Sequence, residues 1–210
     1  LAQARGTALA FLDADDEWLP DHLQSLSALA ARHPELVWCT GNYLRCHCDQ
    51  GHKKCQDLTP QRMEQIQEFL QGREVFDSYF SAHVHFAGGH TDTMLIRRDV
   101  LIGAGLFEPG RKRIKDMVMW FRIAYRQGPI GFVPEPIAVY HLDVPESTIK
   151  LHRDPQVLCD FIDRHLDLAA RYGKLEDFRP CARKMIGWWI KEYLNAKQGQ
   201  NARTDRKRVV

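Results

Sequence analysis

Leu9-Ala10-Phe11-Leu12-Asp13-Ala14-Asp15-Asp16-Glu17-Trp18-Leu19-Pro20 is the stretch on which the reading of this chain turns. An apolar segment, predicted as a strand, stops at Asp13, Asp15 and Asp16, and a helix is expected to open at Pro20-Asp21. Carboxylates packed at the end of a strand repel one another unless a cation or a proton network neutralises them. A divalent cation is the usual partner, because hard cations take oxygen ligands and bridge them to phosphate oxygens. A calcium loop of the EF-hand kind needs Gly at the sixth position, where Trp18 stands. A solvated acidic turn does not explain Phe11-Leu12 on one side and Trp18-Leu19 on the other.

Around this stretch the chain has the composition of a globular protein. It has 210 residues, 44% of them apolar, and a mean hydropathy of -0.41. A formal net charge of +2 gives no case for a nucleic-acid partner. The basic residues concentrate at the end, in Arg203-Thr204-Asp205-Arg206-Lys207-Arg208. No apolar run approaches the roughly 18 residues of a membrane span. The start lacks the apolar core of a signal peptide and an initiator Met, and reads as an internal beginning. Cys46, Cys48 and Cys55, with His47 and His52 between them, are read either as a zinc site or as reduced thiols on a hairpin. Cys39, Cys159 and Cys181 sit in apolar patterns and are expected in the core.

Leucines at 23, 26 and 29 predict a helix that ends at His33-Pro34. Leu36 to Thr40 is predicted as a buried strand, continued by Tyr43 to Cys46 into a hairpin that turns at Asp49-Gln50-Gly51. Arg62 to Gln71 reads as a helix, and Ser81 to Thr91 as a loop rich in His and Gly. Thr93 to Ile96 reads as a strand, and Arg97 to Leu101 as the start of a short helix. Asp116 to Arg126 is a predicted helix stopped by Gly128-Pro129. Two strands, Ile130 to Val133 and Ile137 to Tyr140, are expected around Pro134-Glu135-Pro136. From Asp154 onward the pattern is helical, with a break at Arg179-Pro180. Strands alternating with helices give an α/β domain over residues 1–150, and residues 151–210 form a helical appendage.

Two known motifs place Asp-x-Asp after an apolar strand. The haloacid-dehalogenase phosphatase motif normally continues with Thr or Val where this chain has Glu17. The other is the Asp-x-Asp of glycosyltransferases that use nucleotide sugars. A second constellation lies a hundred residues on, where Asp116 opens a helix whose other faces are apolar. A carboxylate held there by a rigid element is placed to act as a general base.

Together these motifs resemble glycosyltransferase family 2. The resemblance is carried by Ala4-Arg5-Gly6, Phe11 to Asp21, Met94 to Leu101, Gly105 to Glu108, Lys115-Asp116 through Ala124, and Val133 to Pro136 with Tyr140-His141 and Ser147. It covers about residues 1–150. It implies a partial GT-A fold: a Rossmann-like mixed sheet flanked by helices, here with a C-terminal helical appendage. It further implies metal-dependent transfer of a sugar, with inversion, from a nucleotide-sugar donor of UDP type to a glycan, lipid-linked or other envelope acceptor. Bacterial polysaccharide synthesis is the expected setting.

The resemblance makes Asp116 the catalytic base and gives Asp13, Asp15 and Asp16 to the nucleotide sugar. Asp15 is the ligand of a Mg or Mn cation. The segment from His141 to Asp143 matches one that carries a further phosphate or metal contact, so His141 is a second metal candidate. His90 and Trp120 are placed on the acceptor side.

The chain departs from the family in three ways. Lys115 stands where relatives carry Glu, and its charge would weaken Asp116 as a base if the side chains met. His141-Leu142-Asp143 replaces Arg-x-His. The nucleotide-binding part that family members carry ahead of the Asp-x-Asp strand is not in the sequence. The alternative reading is therefore a catalytically inactive remnant that serves as a binding or scaffold module. Residues 185–208, aromatic and then basic, suggest a peripheral contact at the cytoplasmic face of a membrane.

Overall fold

A computed structural model describes residues 3–47, 51, 53–56, 58–111, 113–142, 144, 154 and 156–208. The chain divides into two compact units, Leu1–Arg153 and Asp154–Val210.

The first unit is a mixed α/β layer built on two long strands, β3 (Trp38–His47) and β7 (Ile130–His141). They run parallel from Cys39 opposite Gly131 to Cys46 opposite His141. Parallel strands need a crossover connection, and here it carries three short strands and several helices. Because β7 lines one side of β3 throughout, the other side is shared. β6 (Leu95–Arg97) pairs with its first residues and β4 (Lys53–Gln56) with its last, both antiparallel. β1 (Ala8–Ala10) lies beyond β6. The free side of β7 takes β5 (Val75–Phe76) at its start and β2 (Glu17–Trp18) further along. The acidic stretch therefore leaves one flank of the sheet at β1 and rejoins the other at β2.

The two strands expected around Pro134-Glu135-Pro136 are a single one. Gly41 pairs with Val133 and Asn42 with Pro136, so Pro134 and Glu135 are looped out as a bulge. Proline, which has no N–H for the ladder, is tolerated at a bulge. Asn42 Nδ2 donates to the Pro134 carbonyl at 3.1 Å and holds the bulge in place. Gly41 is required beside it, since a Cβ there would stand 2.7 Å from Ile137 Cδ1.

Helix α1 (His22–Arg32) covers this sheet. Its Leu26 and Leu29 pack with Cys39, Val133 and Ile137 into the core. It ends at His33-Pro34 as its sequence predicts. α2 (Pro60–Leu70) is capped by the Thr59 hydroxyl, which accepts from the Arg62 N–H. The loop predicted from Ser81 opens instead as helix α3 (Tyr79–Val84), where Ser78 caps the first turn and the Tyr79 and Phe80 rings are buried. A short helix α4 (Arg98–Gly103) follows β6. Helix α5 (Lys115–Ala124) buries Val118, Met119, Trp120, Phe121 and Ile123. Phe121 meets Tyr79 edge-to-face at 5.3 Å, which fixes α5 against α3.

The second unit is a helical pair, α6 (Gln156–Arg171) and α7 (Leu175–Arg208). Leu158, Phe161, Ile162, His165 and Ala169 are the buried face of α6. Cys159 falls outside that stripe and is exposed, contrary to the expectation, whereas Cys39 and Cys181 are buried. The break expected at Arg179-Pro180 is absent, and α7 runs through Pro180. Pro180 stands only six residues into the helix, so its missing N–H removes one bond near the end of the ladder. Of the candidate zinc ligands, Cys46 is buried in β3. Cys48 and His52 lie outside the described residues, as does the side chain of Cys55. Asp143 and Ser147 lie outside them too.

Candidate active site

The acidic stretch folds into a tight turn between β1 and β2. The Asp16 N–H donates to the Asp13 carbonyl at 3.2 Å. Trp18 pins the turn from below, its Nε1 donating to the carbonyls of Phe11 (3.1 Å) and Asp92 (3.0 Å). The Trp18 ring in turn stacks on His22 of α1 at 4.3 Å.

A second loop, Gly88 to Thr93, faces this turn. Gly89 has φ 68°, and a Cβ there would collide with the Thr40 hydroxyl and come within 2.7 Å of Thr93 Oγ1. Only glycine meets both demands. The two threonine hydroxyls share a 2.9 Å hydrogen bond, and Thr93 Oγ1 accepts from the His90 N–H at 2.9 Å. The loop is thereby locked to β3 and leads into a short 3-10 turn, Thr91–Thr93.

Asp92 is the residue that joins the two loops. It is 1% exposed. Its Oδ1 accepts from the Asp13 N–H at 2.6 Å, and its Oδ2 bonds His90 Nδ1 at 2.6 Å. The His90 ring lies between Tyr140, at 4.4 Å, and Tyr43, at 5.4 Å. Asp116, in the first turn of α5, accepts from the Thr91 hydroxyl at 3.3 Å and so belongs to the same cluster. Asp16 Oδ1 accepts from the His141 N–H at 2.8 Å, which ties the turn to the end of β7.

The electrostatics are those of crowded carboxylates. Burial, reinforced by the Asp92 carboxylate, pushes Asp16 up to about 8 and raises Asp13 as well. Burial also acts to raise Asp92, but the hydrogen bond from the His90 ring, with the carboxyl of Asp16 close by, outweighs it and holds Asp92 low. For His90 burial favours the neutral ring, and Asp92, with Asp116 and Asp16 further off, more than offsets it. Tyr140 is pushed up to about 12 by burial and by the charges of Asp16, Asp15, Asp116 and Asp13. Lys115 adds its positive charge at Asp13.

Asp16, His90 and Asp92 each offer a ligand atom, and these atoms lie within 4.8 Å of one another. Asp16 Oδ2 is sealed from solvent with no hydrogen-bond partner. A buried oxygen of that kind, beside a second carboxylate and an imidazole, fits a divalent cation. Among the described residues this is the group with metal-ligand spacing.

The structure brings Asp13, Asp16, His90 and Asp116 together. Asp15 is exposed on the same turn and stands outside the ligand group. The His141 ring meets Glu17 Oε1 at 2.9 Å, so His141 reaches Asp16 through its backbone. Trp120, expected at the acceptor side, is 2% exposed, its ring packed against Phe11 and Phe107. Sequence reasoning missed Asp92. Its signal is a carboxylate between two threonines, two residues from a His and at the mouth of the apolar run Met94-Leu95-Ile96.

A mixed sheet flanked by helices, with an acidic turn between its outer strands, is consistent with a partial GT-A fold. Residues 1–101 match the family described as glycosyl transferase family 2, and the fold of this part of the chain is consistent with a family 2 domain. The matched residues include Asp13 to Asp16, His90 and Asp92; Asp116 and His141 lie beyond them. No curated protein matches the chain.

Proposed function

We propose that the chain is a metal-dependent, inverting glycosyltransferase that moves a sugar from a UDP-type nucleotide donor to a glycan or lipid-linked envelope acceptor. The observation that supports it best is the convergence of Asp13, Asp16, Asp92 and Asp116, from three separate elements, on one cluster. Asp116 is the base. It takes the proton of the acceptor hydroxyl as that oxygen bonds the anomeric carbon and the bond to the nucleoside diphosphate breaks. Asp116 sits on α5, whose buried face keeps it from moving. Asp15 is the residue the resemblance gives to Mg or Mn, and Asp16, His90 and Asp92 offer a further set of ligand atoms on and across from the same turn. When bound, the cation neutralises the charge that develops on the departing diphosphate. Asp13 is assigned to the nucleotide. His141 serves by holding Asp16 through its N–H. Such acceptors are anchored in membranes, and we place the chain at the cytoplasmic face of one.

Asp116→Asn removes the base and keeps the shape. Transfer should be abolished while calorimetric binding of UDP with Mn stays within about twofold of the parent. Retained turnover would refute the assignment of Asp116. An absence of heat at millimolar UDP and Mn in the unmodified chain would favour the binding or scaffold module.

A further inference from the structure

Five of the large apolar side chains that the protein exposes fall within nine residues of one helix. They are Ile186, Trp188, Ile190, Tyr193 and Leu194 of α7, between 40% and 59% exposed. Ile186, Ile190, Tyr193 and Leu194 stand at i, i+4, i+7 and i+8, so they form one stripe. The half-buried Trp189 flanks it. The earlier turns of α7 bury a different face, that of Phe178, Cys181, Ala182 and Met185, so the stripe is not a continuation of the core of the helical pair.

The charge of this segment is as uneven as its hydrophobicity. Arg183 to Arg208 contains eight Lys or Arg against two acids, a net +6 in a chain whose formal total is +2. The rest of the protein is therefore net negative. Among the described residues no helix is long and apolar enough to cross a membrane. A helix that joins an aromatic and aliphatic stripe to a block of cations, yet cannot span, has the properties of one that lies in the headgroup region. There Trp and Tyr sit with one edge apolar and one wet, and Lys and Arg extend to the lipid phosphates.

We propose that α7 from about Arg183 onward docks on a bilayer surface rich in anionic lipid, with Ile186, Ile190, Tyr193 and Leu194 inserted and the basic residues on the headgroups. The inference rests on placing the chain at a membrane, and not on its chemistry. Vesicle binding and sugar transfer are separate measurements, so failure of one reading is distinguishable from failure of the other.

The test is co-sedimentation of the full chain with sucrose-loaded vesicles, either pure phosphatidylcholine or an equimolar mixture with phosphatidylglycerol. Binding to the mixed vesicles should be at least about tenfold stronger, and should weaken as salt shortens the reach of the charges. Ile190→Asp and Tyr193→Asp, at positions more than half exposed and outside the core, should each reduce it severalfold with no change in thermal melting. Equal binding to neutral vesicles, or none to either, would overturn the proposal. So would a lipid-free dimer in light scattering that Ile190→Asp dissociates, since the stripe would then serve a second copy. The comparison of the two lipids uses the unmodified chain and holds whatever the variants do.

Discussion

Asp16 and Asp92 are chemically alike and behave in opposite ways, because of their neighbours. Asp92 has the Asp13 amide and the His90 ring as donors, whereas Asp16 has one amide, partial burial and another carboxylate. The sign of the pH effect follows. A carboxyl whose folded value lies near 8 is favoured in its neutral form, so its contribution is intact below the unfolded value of 3.8 and is lost as pH rises towards 8. Asp92, held low, works the other way and loses its contribution only in acid. In metal-free protein the thermal midpoint should therefore fall between about pH 5 and about pH 9, and Asp16→Asn should flatten that fall. Melts in chelator at the two pH values read it directly, and an unchanged slope in Asp16→Asn would refute the account.

The residues of the site were unequally legible in the sequence for the same reason. Asp13, Asp15 and Asp16 announce themselves by sitting together after an apolar run. Asp116 does so by opening a helix that is otherwise apolar. Asp92 is indistinguishable from a loop acid until the fold sets it against Asp13, which is 79 residues away in sequence. Trp120 shows the converse, since helical periodicity marks it equally well for a core or for a rim.

At the scale of elements, helical periodicity and helix stops carry over into the structure, and prolines inside an element are where it departs from the sequence pattern. Helices α1, α2, α4 and α5 begin and end near the expected residues, because leucine spacing, caps and the Gly128-Pro129 stop are local signals. Pro134 and Pro136 read as a gap between strands, and Pro180 as a helix break. Whether a proline ends an element depends on a missing bond that neighbouring chain can make unnecessary. A bulge absorbs the first two and the helix start absorbs the third. Loop Gly88 to Thr93 carries the clearest prediction at this scale. Gly89→Ala must both strain a backbone at φ 68° and displace the Thr40 hydroxyl. We expect a loss of about 1–3 kcal/mol in urea denaturation, together with weaker Mn binding as His90 and Asp92 shift. Wild-type stability in that variant would mean the loop is less constrained than its hydrogen bonds suggest.

For the whole molecule, the candidate cation site links stability to ligand. A ligand that binds only the folded state stabilises it by about 2.7 kcal/mol at a hundred times its Kd. Mn should therefore raise the melting temperature in a concentration-dependent way, and chelator should reverse the shift. The effect should grow as pH rises through about 8, above which a cation no longer competes with the Asp16 proton. A melting temperature indifferent to Mn and chelator would remove the cation from the proposed chemistry.

The parallel pairing of β3 with β7 has a consequence for how the chain is made. Cys39 must wait for Gly131, and Cys46 for His141, before the central ladder can close. Contacts of such sequence separation form late, since loop closure precedes any reward from pairing. On a ribosome the acidic turn emerges well before β7, yet the amide that holds Asp16 belongs to His141. Throughout that interval the apolar faces of β3 and α1 have no β7 to cover them. The nascent protein then exposes to chaperones a surface that the finished one never shows.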